Sequence, residues 1–114
     1  MKLDRNINKD GTGKYAVINM RKLDASCGNP STFERWTSAV QSALTTLESV
    51  GALEWGTVNE PDEFFLIKLK DRHAAAALTA YADSIRNSDP DFAAEVDEMV
   101  LRSGPNNPHC KEPD

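Results

Sequence analysis

The clearest hydrophobic pattern of the chain predicts a helix over residues 32–49. Apolar positions recur there at spacings of three and four, which is the stripe that an amphipathic helix packs against a core. Ser31 and Glu34 have the spacing of a capping box at a helix start, and Gly51 is a typical helix end. This is the strongest helical signal in the sequence.

Other segments alternate between apolar and polar residues at period two, which is typical of strands with one buried face. Residues 14–23 form the first such segment, and a short arm at 3–7 is placed to pair with it. Residues 53–58 and 64–70 are two further segments, separated by the turn-forming run Asn59–Asp62. We therefore expect a β-hairpin in the middle of the chain.

Two more helices are predicted in the C-terminal half. Residues 74–85 are rich in alanine, which has the highest helix propensity, and Asp71 precedes them as a candidate cap. Asp89 followed by Pro90 is a second start signal, because proline lacks an N–H that the first helical turn would leave unbonded anyway. The pair Gly104–Pro105 is expected to end this last helix.

The predicted order of strand, helix, strand, strand, helix, helix indicates an α+β domain. We expect a three- to four-stranded antiparallel sheet with helices on one face, a split β-α-β-β-α core related to the ferredoxin-like fold plus a C-terminal helix. This single domain covers residues 1–104 and is followed by an irregular tail at 105–114. An unpaired edge of so short a sheet also allows a homodimer.

Size and composition favour one soluble domain. The chain has 114 residues, 39% hydrophobic and 27% charged, which is typical of an ordinary globular protein. No apolar run is long enough for a signal peptide or a membrane span, and two cysteines are too few for a disulfide framework, so we expect a cytoplasmic protein. The net charge of -5 disfavours a general nucleic-acid-binding surface.

The negative charge belongs to the second half of the chain. Residues 1–57 carry seven basic and six acidic groups, whereas residues 58–114 carry six basic and twelve acidic groups. Six acidic residues fall within a short stretch around the last two predicted helices: Asp83, Asp89, Asp91, Glu95, Asp97 and Glu98. They form either a solvated helix exterior or an acidic docking face for a basic partner protein.

A smaller cationic strip is predicted on the sheet. If the strands at 14–23 and 64–70 are neighbours, one sheet face presents donors and an aromatic ring to an anion: Asn19, Arg21, Phe64, Lys68 and Lys70. The competing interpretation is that the lysines protect a strand edge from aggregation.

No residue pattern in the chain predicts a reaction, a metal or a cofactor. Cys27, His73, His109 and Cys110 lack the spacing of a zinc half-site. The run Gly11–Lys14 lacks the first glycine and the final hydroxyl of a phosphate-binding loop. Because no nucleophile, base and orienting group can be placed together, we do not expect an enzyme.

Three segments carry a family resemblance. Residues 6–16 (NINKDGTGKYA), 63–71 (EFFLIKLKD) and 104–114 (GPNNPHCKEPD) resemble those of small uncharacterised accessory proteins encoded by tailed bacteriophages and prophages. The resemblance extends over the whole chain but brings no catalytic residues with it. It implies a host bacterial cytoplasm during infection, and stoichiometric action on a host or phage component.

The leading functional hypothesis is therefore a non-enzymatic phage accessory protein that binds a host protein through its acidic face, for example a host-defence inhibitor. The alternative is an oligomeric protein that sequesters a nucleotide or another small anionic ligand with the cationic strip. A small hydrolase is a third hypothesis.

Overall fold

The computed structural model describes residues 9–27 and 36–113, and in these ranges the protein is helical. The elements are α1 (Met20–Cys27), α2 (Ser38–Ser49), α3 (Ala74–Ile85), α4 (Pro90–Val100) and a 3-10 helix at Gly104–Asn106. These residues contain no β-strand and no sheet, so the predicted α+β fold with a three- to four-stranded sheet is wrong. The expected arm at 3–7 lies outside the described residues.

The first predicted strand is replaced by α1. Asn19 precedes this helix, and its side-chain oxygen accepts a hydrogen bond from the backbone N–H of Lys22 at 3.0 Å, while its carbonyl accepts from Leu23 at 3.1 Å. Asparagine is among the best helix caps, because its side chain satisfies an amide that the first turn leaves unbonded. The cap therefore starts a helix in the middle of the alternating segment, and residues 15–19 before it are irregular.

Helix α2 confirms the predicted helix at 32–49 over its C-terminal part, residues 38–49. Its N-cap is Thr37, whose Oγ1 accepts from the backbone N–H of Val40 at 3.3 Å. Gly51 closes the helix as predicted: its φ is +75°, its N–H donates to Glu48, and the N–H of Ala52 donates to Leu47, which together form a Schellman motif. The predicted capping box at residues 31–34 lies outside the described residues.

The predicted hairpin at 53–58 and 64–70 is also corrected. Two successive turns fill residues 57–63, in which Glu60 donates to Thr57 and Glu63 donates to Glu60. Gly56 before them has a φ of +62°, which interrupts the extended backbone that a strand arm requires. The Phe64 ring lies over Gly56, where a β-carbon would clash with it. The flanking segments consequently do not pair.

Helices α3 and α4 confirm the two C-terminal predictions and pack on each other. Ala82, Phe92 and Val96 form a buried cluster, against which Leu78 and Ile85 pack. The start of α4 is capped by Asp89, as its position before Pro90 predicted. The start of α3 differs, since Asp71 accepts from the N–H of His73 at 2.8 Å rather than capping the helix itself.

The segment after α4 returns to the start of α3. Gly104, with a φ of +56°, donates its N–H to the carbonyl of Leu69 at 2.8 Å. Lys111 then forms a parallel bridge with Asp71, donating to Lys70 and accepting from Arg72, each at 2.9 Å. These backbone bonds fasten the end of the chain beside residues 69–72.

The described chain groups into two compact units. The C-terminal unit comprises residues 9–14 and 65–113, with α3, α4 and the 3-10 helix. The tryptophan unit comprises residues 15–27 and 36–64, with α1, α2 and both tryptophans. The expectation of one domain at 1–104 followed by a tail stays a prediction.

Candidate functional site

The acidic residues predicted as a docking face lie on and around α4. One side of this helix is buried, with Phe92, Val96 and Met99 each no more than 8% exposed. The ring of Phe92 also makes an edge-to-face contact with Tyr81 of α3, with 6.2 Å between ring centroids. Burial of one side fixes the rotation of α4 and therefore which carboxylates face solvent.

Two of the six predicted acidic residues are engaged by Arg86. Its guanidinium binds both carboxylate oxygens of Asp97, at 2.7 and 3.1 Å, and one oxygen of Asp83 at 3.0 Å. The hydrogen bonds from Arg86 hold the pKa of Asp97 below its ordinary value, and the two carboxylates raise the pKa of Arg86. Because one guanidinium offsets one of the two negative charges, Asp83 and Asp97 together contribute less to a docking field than two unpaired carboxylates would.

A third member of the set has a structural role. The side chain of Asp89 accepts a hydrogen bond from the backbone N–H of Phe92 at 3.2 Å and so caps α4. The negative charge of an aspartate in this position also interacts favourably with the positive end of the helix dipole. Asp89 therefore helps to begin the helix that carries the other acidic residues.

The remaining three acidic residues form a line along α4, which we call the acidic row: Asp91, Glu95 and Glu98. Their spacings of four and three residues place them on one side of an α-helix. Asp91 and Glu98 are exposed and Glu95 is half-buried. The acidic row thus combines two exposed carboxylates with a half-buried one beside the packed side of the helix.

The cationic strip does not form as predicted. It required the segments at 14–23 and 64–70 to be neighbouring strands, and neither is a strand. Asn19 is occupied as the cap of α1, and Arg21 is an exposed residue of that helix. Asn19, Arg21 and Phe64 belong to the tryptophan unit, whereas Lys68 and Lys70 belong to the C-terminal unit.

The two lysines of the strip instead line a groove within the C-terminal unit. The groove has a volume of about 250 Å³, and Lys68, Lys70 and Lys111 share it with the apolar side chains of Phe65 and Leu66. Two carboxylates also line it, but both are engaged. Asp71 accepts from the N–H of His73, and Glu112 forms an ion pair with Arg72 that raises the pKa of the guanidinium.

The cysteine and histidine side chains are not gathered into a site in the described part of the chain. No group of three or more histidine, cysteine, aspartate or glutamate residues there is arranged to hold a metal ion. Cys110 is an exposed free thiol, and His73 occupies the N-cap position of α3 without a side-chain capping bond. The side chain of Cys27 lies outside the described residues.

Sequence reasoning missed two features of these surfaces. Lys111 and Phe65 were not assigned to an anion site, because Lys111 reaches the groove only through backbone bonds to residues forty positions earlier. The tryptophan pair was also missed: the rings of Trp36 and Trp55 stack with centroids 6.3 Å apart. The sequence gave one signal for this pair: Trp36 stands in the apolar stripe of the predicted helix, and Trp55 stands at an apolar position of the alternating segment 53–58.

Comparison of the chain with family models, with curated proteins and with solved structures finds no match. Among the helices at 9–27 and 36–113, none has the length and apolar character needed to cross a bilayer.

Proposed function

We propose that this chain is a non-enzymatic accessory protein that acts stoichiometrically by binding a basic surface of another protein. The observation that carries the proposal is the acidic row, which places three carboxylates on one side of α4, a helix that is capped at its start and packed on α3. The resemblance to phage accessory proteins supports a host protein in the bacterial cytoplasm as the partner. Inhibition of a host defence is one way in which such binding would act.

The rigidity of α4 supports this role. Its N-terminus is capped by Asp89 and its apolar side is packed on α3, so the acidic row is held in place before a partner arrives. Charges that are already positioned raise association rates and select partners of opposite charge. Arg86 forms ion pairs with Asp83 and Asp97 and offsets one of their two negative charges.

The test is capture of binding partners from bacterial lysate with the purified chain and with a variant carrying Glu95→Lys and Glu98→Lys. We expect the variant to lose the captured protein. Lysines in the second half of α4 suit the negative end of the helix dipole, so the variant should fold normally. Its far-ultraviolet circular dichroism and thermal midpoint check this.

The matched control is a variant with Glu54→Lys and Glu60→Lys, two exposed residues of the tryptophan unit. It changes the net charge by the same amount at a different place. If both variants lose the captured protein equally, the total charge controls binding and the acidic row is not the docking face. Capture that survives reversal of the row would also contradict the proposal.

A second candidate function is sequestration of a nucleotide or another small anionic ligand. The groove of the C-terminal unit favours it, because three lysines stand beside Phe65 and Leu66 there. Lysines bind phosphate oxygens, and an aromatic ring stacks on a base. This groove replaces the predicted set that included Asn19, Arg21 and Phe64.

A thermal-shift screen against nucleotides separates the two functions. Stabilisation by one nucleotide that disappears in Lys68→Ala would support sequestration and contradict protein docking as the main activity. The exposed Lys22→Ala, on α1, is the matched control and should keep the stabilisation. Absence of stabilisation by every nucleotide would contradict the second candidate.

A further inference from the structure

Exposed apolar side chains gather where α2 ends and the following loop begins. Leu47, in the last turn of α2, and Val50, at its C-cap, are 38% and 71% exposed. Trp55 donates its Nε1–H to the carboxylate of Glu48 in the same turn at 2.8 Å, and it is still 42% exposed. Leu47, Val50 and Trp55 therefore form an apolar surface within the tryptophan unit, which we call the α2-end surface.

The loop that continues from the α2-end surface is held in one shape. Two successive hydrogen-bonded turns fill residues 57–63, and the carboxylate of Glu63 accepts from the backbone N–H of Asn59 at 3.2 Å. The ring of Phe64 then lies over Gly56, the residue that directly follows the indole. Because these contacts already order the loop, a partner that binds here loses less free energy to ordering it.

Every charged residue in this part of the chain is acidic. Residues 47–64 contain no lysine and no arginine, but they contain five exposed acidic residues: Glu48, Glu54, Glu60, Asp62 and Glu63. The side chains of Glu54, Glu60 and Asp62 make no hydrogen bond or ion pair within the described residues. Exposed apolar side chains accompanied by unpaired carboxylates are complementary to a partner surface that is both apolar and cationic.

The same charge disfavours the other occupants of such a surface. Anionic lipid headgroups and the phosphates of nucleic acids would be repelled by the carboxylates. A second copy that docked here about a two-fold axis would place two acidic loops against each other, because two-fold symmetry sets the same patch on both sides. The partner that fits is a cationic amphipathic helix, in which basic residues border a row of apolar side chains.

We propose that the α2-end surface binds a cationic amphipathic helix of another protein. The apolar side of that helix covers Leu47, Val50 and Trp55, and its basic residues pair with the carboxylates of the loop at 54–62. The site lies wholly within the tryptophan unit, whereas the acidic row belongs to the C-terminal unit. It is therefore a second binding site, and it does not rest on the function proposed for the row.

The experiment is isothermal titration calorimetry of the full chain with a synthetic peptide of about 18 residues, in which leucines have helical spacing and lysines fill the other positions. We expect a dissociation constant on the order of 10 µM, because the surface is small. One control peptide has the same composition without an apolar side, and another has glutamate in place of lysine. Each control should bind at least about tenfold more weakly. Equal binding of either control, or no binding of the cationic amphipathic peptide, would overturn the proposal.

Variants of the chain locate the bound peptide. Val50→Ser removes apolar area at an exposed position without changing the charge, and it should weaken binding about fivefold. Leu101→Ser is the matched control, because Leu101 is 75% exposed in the C-terminal unit and should leave binding unchanged. Equal effects of the two variants would show that the peptide does not bind at the α2-end surface.

Charge reversal separates this site from the acidic row. The Glu54→Lys, Glu60→Lys variant should weaken peptide binding at least about tenfold, whereas the Glu95→Lys, Glu98→Lys variant should leave it within about twofold. The reverse order would overturn the proposal, because the peptide would then bind the acidic row. Capture of a protein by the row should show the opposite pattern, so failure of one site is distinguishable from failure of the other.

The heat capacity of binding gives a readout that ionic attraction alone does not move. Burial of apolar surface makes the binding enthalpy more negative as the temperature rises, so titrations between about 10 and about 35 °C should give a negative slope. A slope of zero would contradict apolar docking. Sedimentation velocity of the chain alone, and flotation with phosphatidylcholine vesicles, test the other occupants. Self-association or vesicle binding that Val50→Ser abolishes would also overturn the proposal.

Discussion

The two compact units of this protein are held together in different ways. The C-terminal unit buries a set of side chains between and beside two helices: Ala74, Ala82, Phe92, Ala93, Val96, Met99 and Ser103. In the tryptophan unit, Leu44 is the one buried side chain among the residues at 15–25 and 36–64. The first unit therefore relies on apolar burial, and the second on directed polar and ring contacts.

The polar contacts of the tryptophan unit centre on its two indoles. The Nε1 of Trp36 donates to the carboxylate of Asp24 at 2.7 Å, and the Nε1 of Trp55 donates to that of Glu48 at 2.8 Å. The stacked rings thus connect α1, α2 and the loop after α2. Buried apolar area stabilises more than a few partly exposed hydrogen bonds do, so amide protection should be higher in α3 and α4 than in α1 and α2.

The largest expected effect comes from truncating the core of the C-terminal unit. Phe92→Ala removes a ring that is 5% exposed and packs with Ala82, Val96 and Tyr81, and should lower the free energy of unfolding by about 3–5 kcal/mol. Leu44→Ala should cost about 2 kcal/mol, since its thinly packed surroundings can close over the gap. Urea denaturation followed by circular dichroism measures both, and equal losses would break the comparison.

Two glycines with left-handed backbone sharpen the comparison. A β-carbon at Gly104 would lie 3.0 Å from the carbonyl oxygen of Arg72 and 3.1 Å from the β-carbon of Ala75, whereas one at Gly51 meets nothing within 4 Å. Gly104→Ala should therefore cost about 2–3 kcal/mol and Gly51→Ala about 1 kcal/mol, because only the former adds a clash to the strain. The same urea titration distinguishes the two variants. Similar losses in the free energy of unfolding would mean that the backbone at residues 104 and 72 moves apart at little cost and relieves the clash.

The indole hydrogen bonds predict a smaller effect within the tryptophan unit. Trp36→Phe keeps a ring for stacking but removes a partly buried bond to Asp24, and should cost about 1–2 kcal/mol. Trp55→Phe removes an exposed bond to Glu48 and should cost less than about 1 kcal/mol. Thermal unfolding by circular dichroism measures the difference. The reverse order would show that the packing of Trp55 outweighs the bond to Asp24.

The smallest effect concerns the exposed ion pairs of Arg86, and it depends on pH. The pKa of Asp97 is lower in the folded protein, so the unfolded chain binds more protons as the pH falls below the ordinary value of about 4. The stabilisation is therefore complete above that value and is lost as the pH falls through the folded pKa. Arg86→Met should lower the thermal midpoint slightly at pH 7, and this difference should shrink as the pH falls through the lowered pKa of Asp97.

Salt provides the control for this last prediction. The side chain of Arg86 is 43% exposed, so about 1 M salt should remove most of the difference between the variant and the original at pH 7. A difference that persists in high salt would indicate that the arginine contributes by packing.

Local signals in the sequence were sufficient for most helices. The alanine-rich segment that forms α3 and the Asp89–Pro90 start of α4 predict their elements because propensity and capping act within a few residues. Gly51 ended α2 for the same reason. The acidic row could be predicted as soon as α4 was recognised, because residues three and four apart share a side of a helix.

The prediction of strands was wrong because alternation of apolar and polar residues does not show which other segment a strand would pair with. Residues 14–23 and 64–70 have strand-like patterns, but a strand is stable only when another pairs with it, and its apparent propensity depends on that context. Asn19 capped a helix inside the first segment, and Gly56 turned the backbone before the second. The groove lined by the lysines could not be predicted either, because it depends on the long-range bridge between Asp71 and Lys111.

The stacked indoles have a practical consequence for spectroscopy. Trp36 and Trp55 are the two tryptophans of the chain, and both belong to the tryptophan unit. Emission excited at the red edge of the absorption band will therefore follow the unfolding of that unit, whereas changes confined to α3 and α4 will appear in the backbone signal. A single protein without any attached dye thus carries its own selective probe for its more thinly packed part.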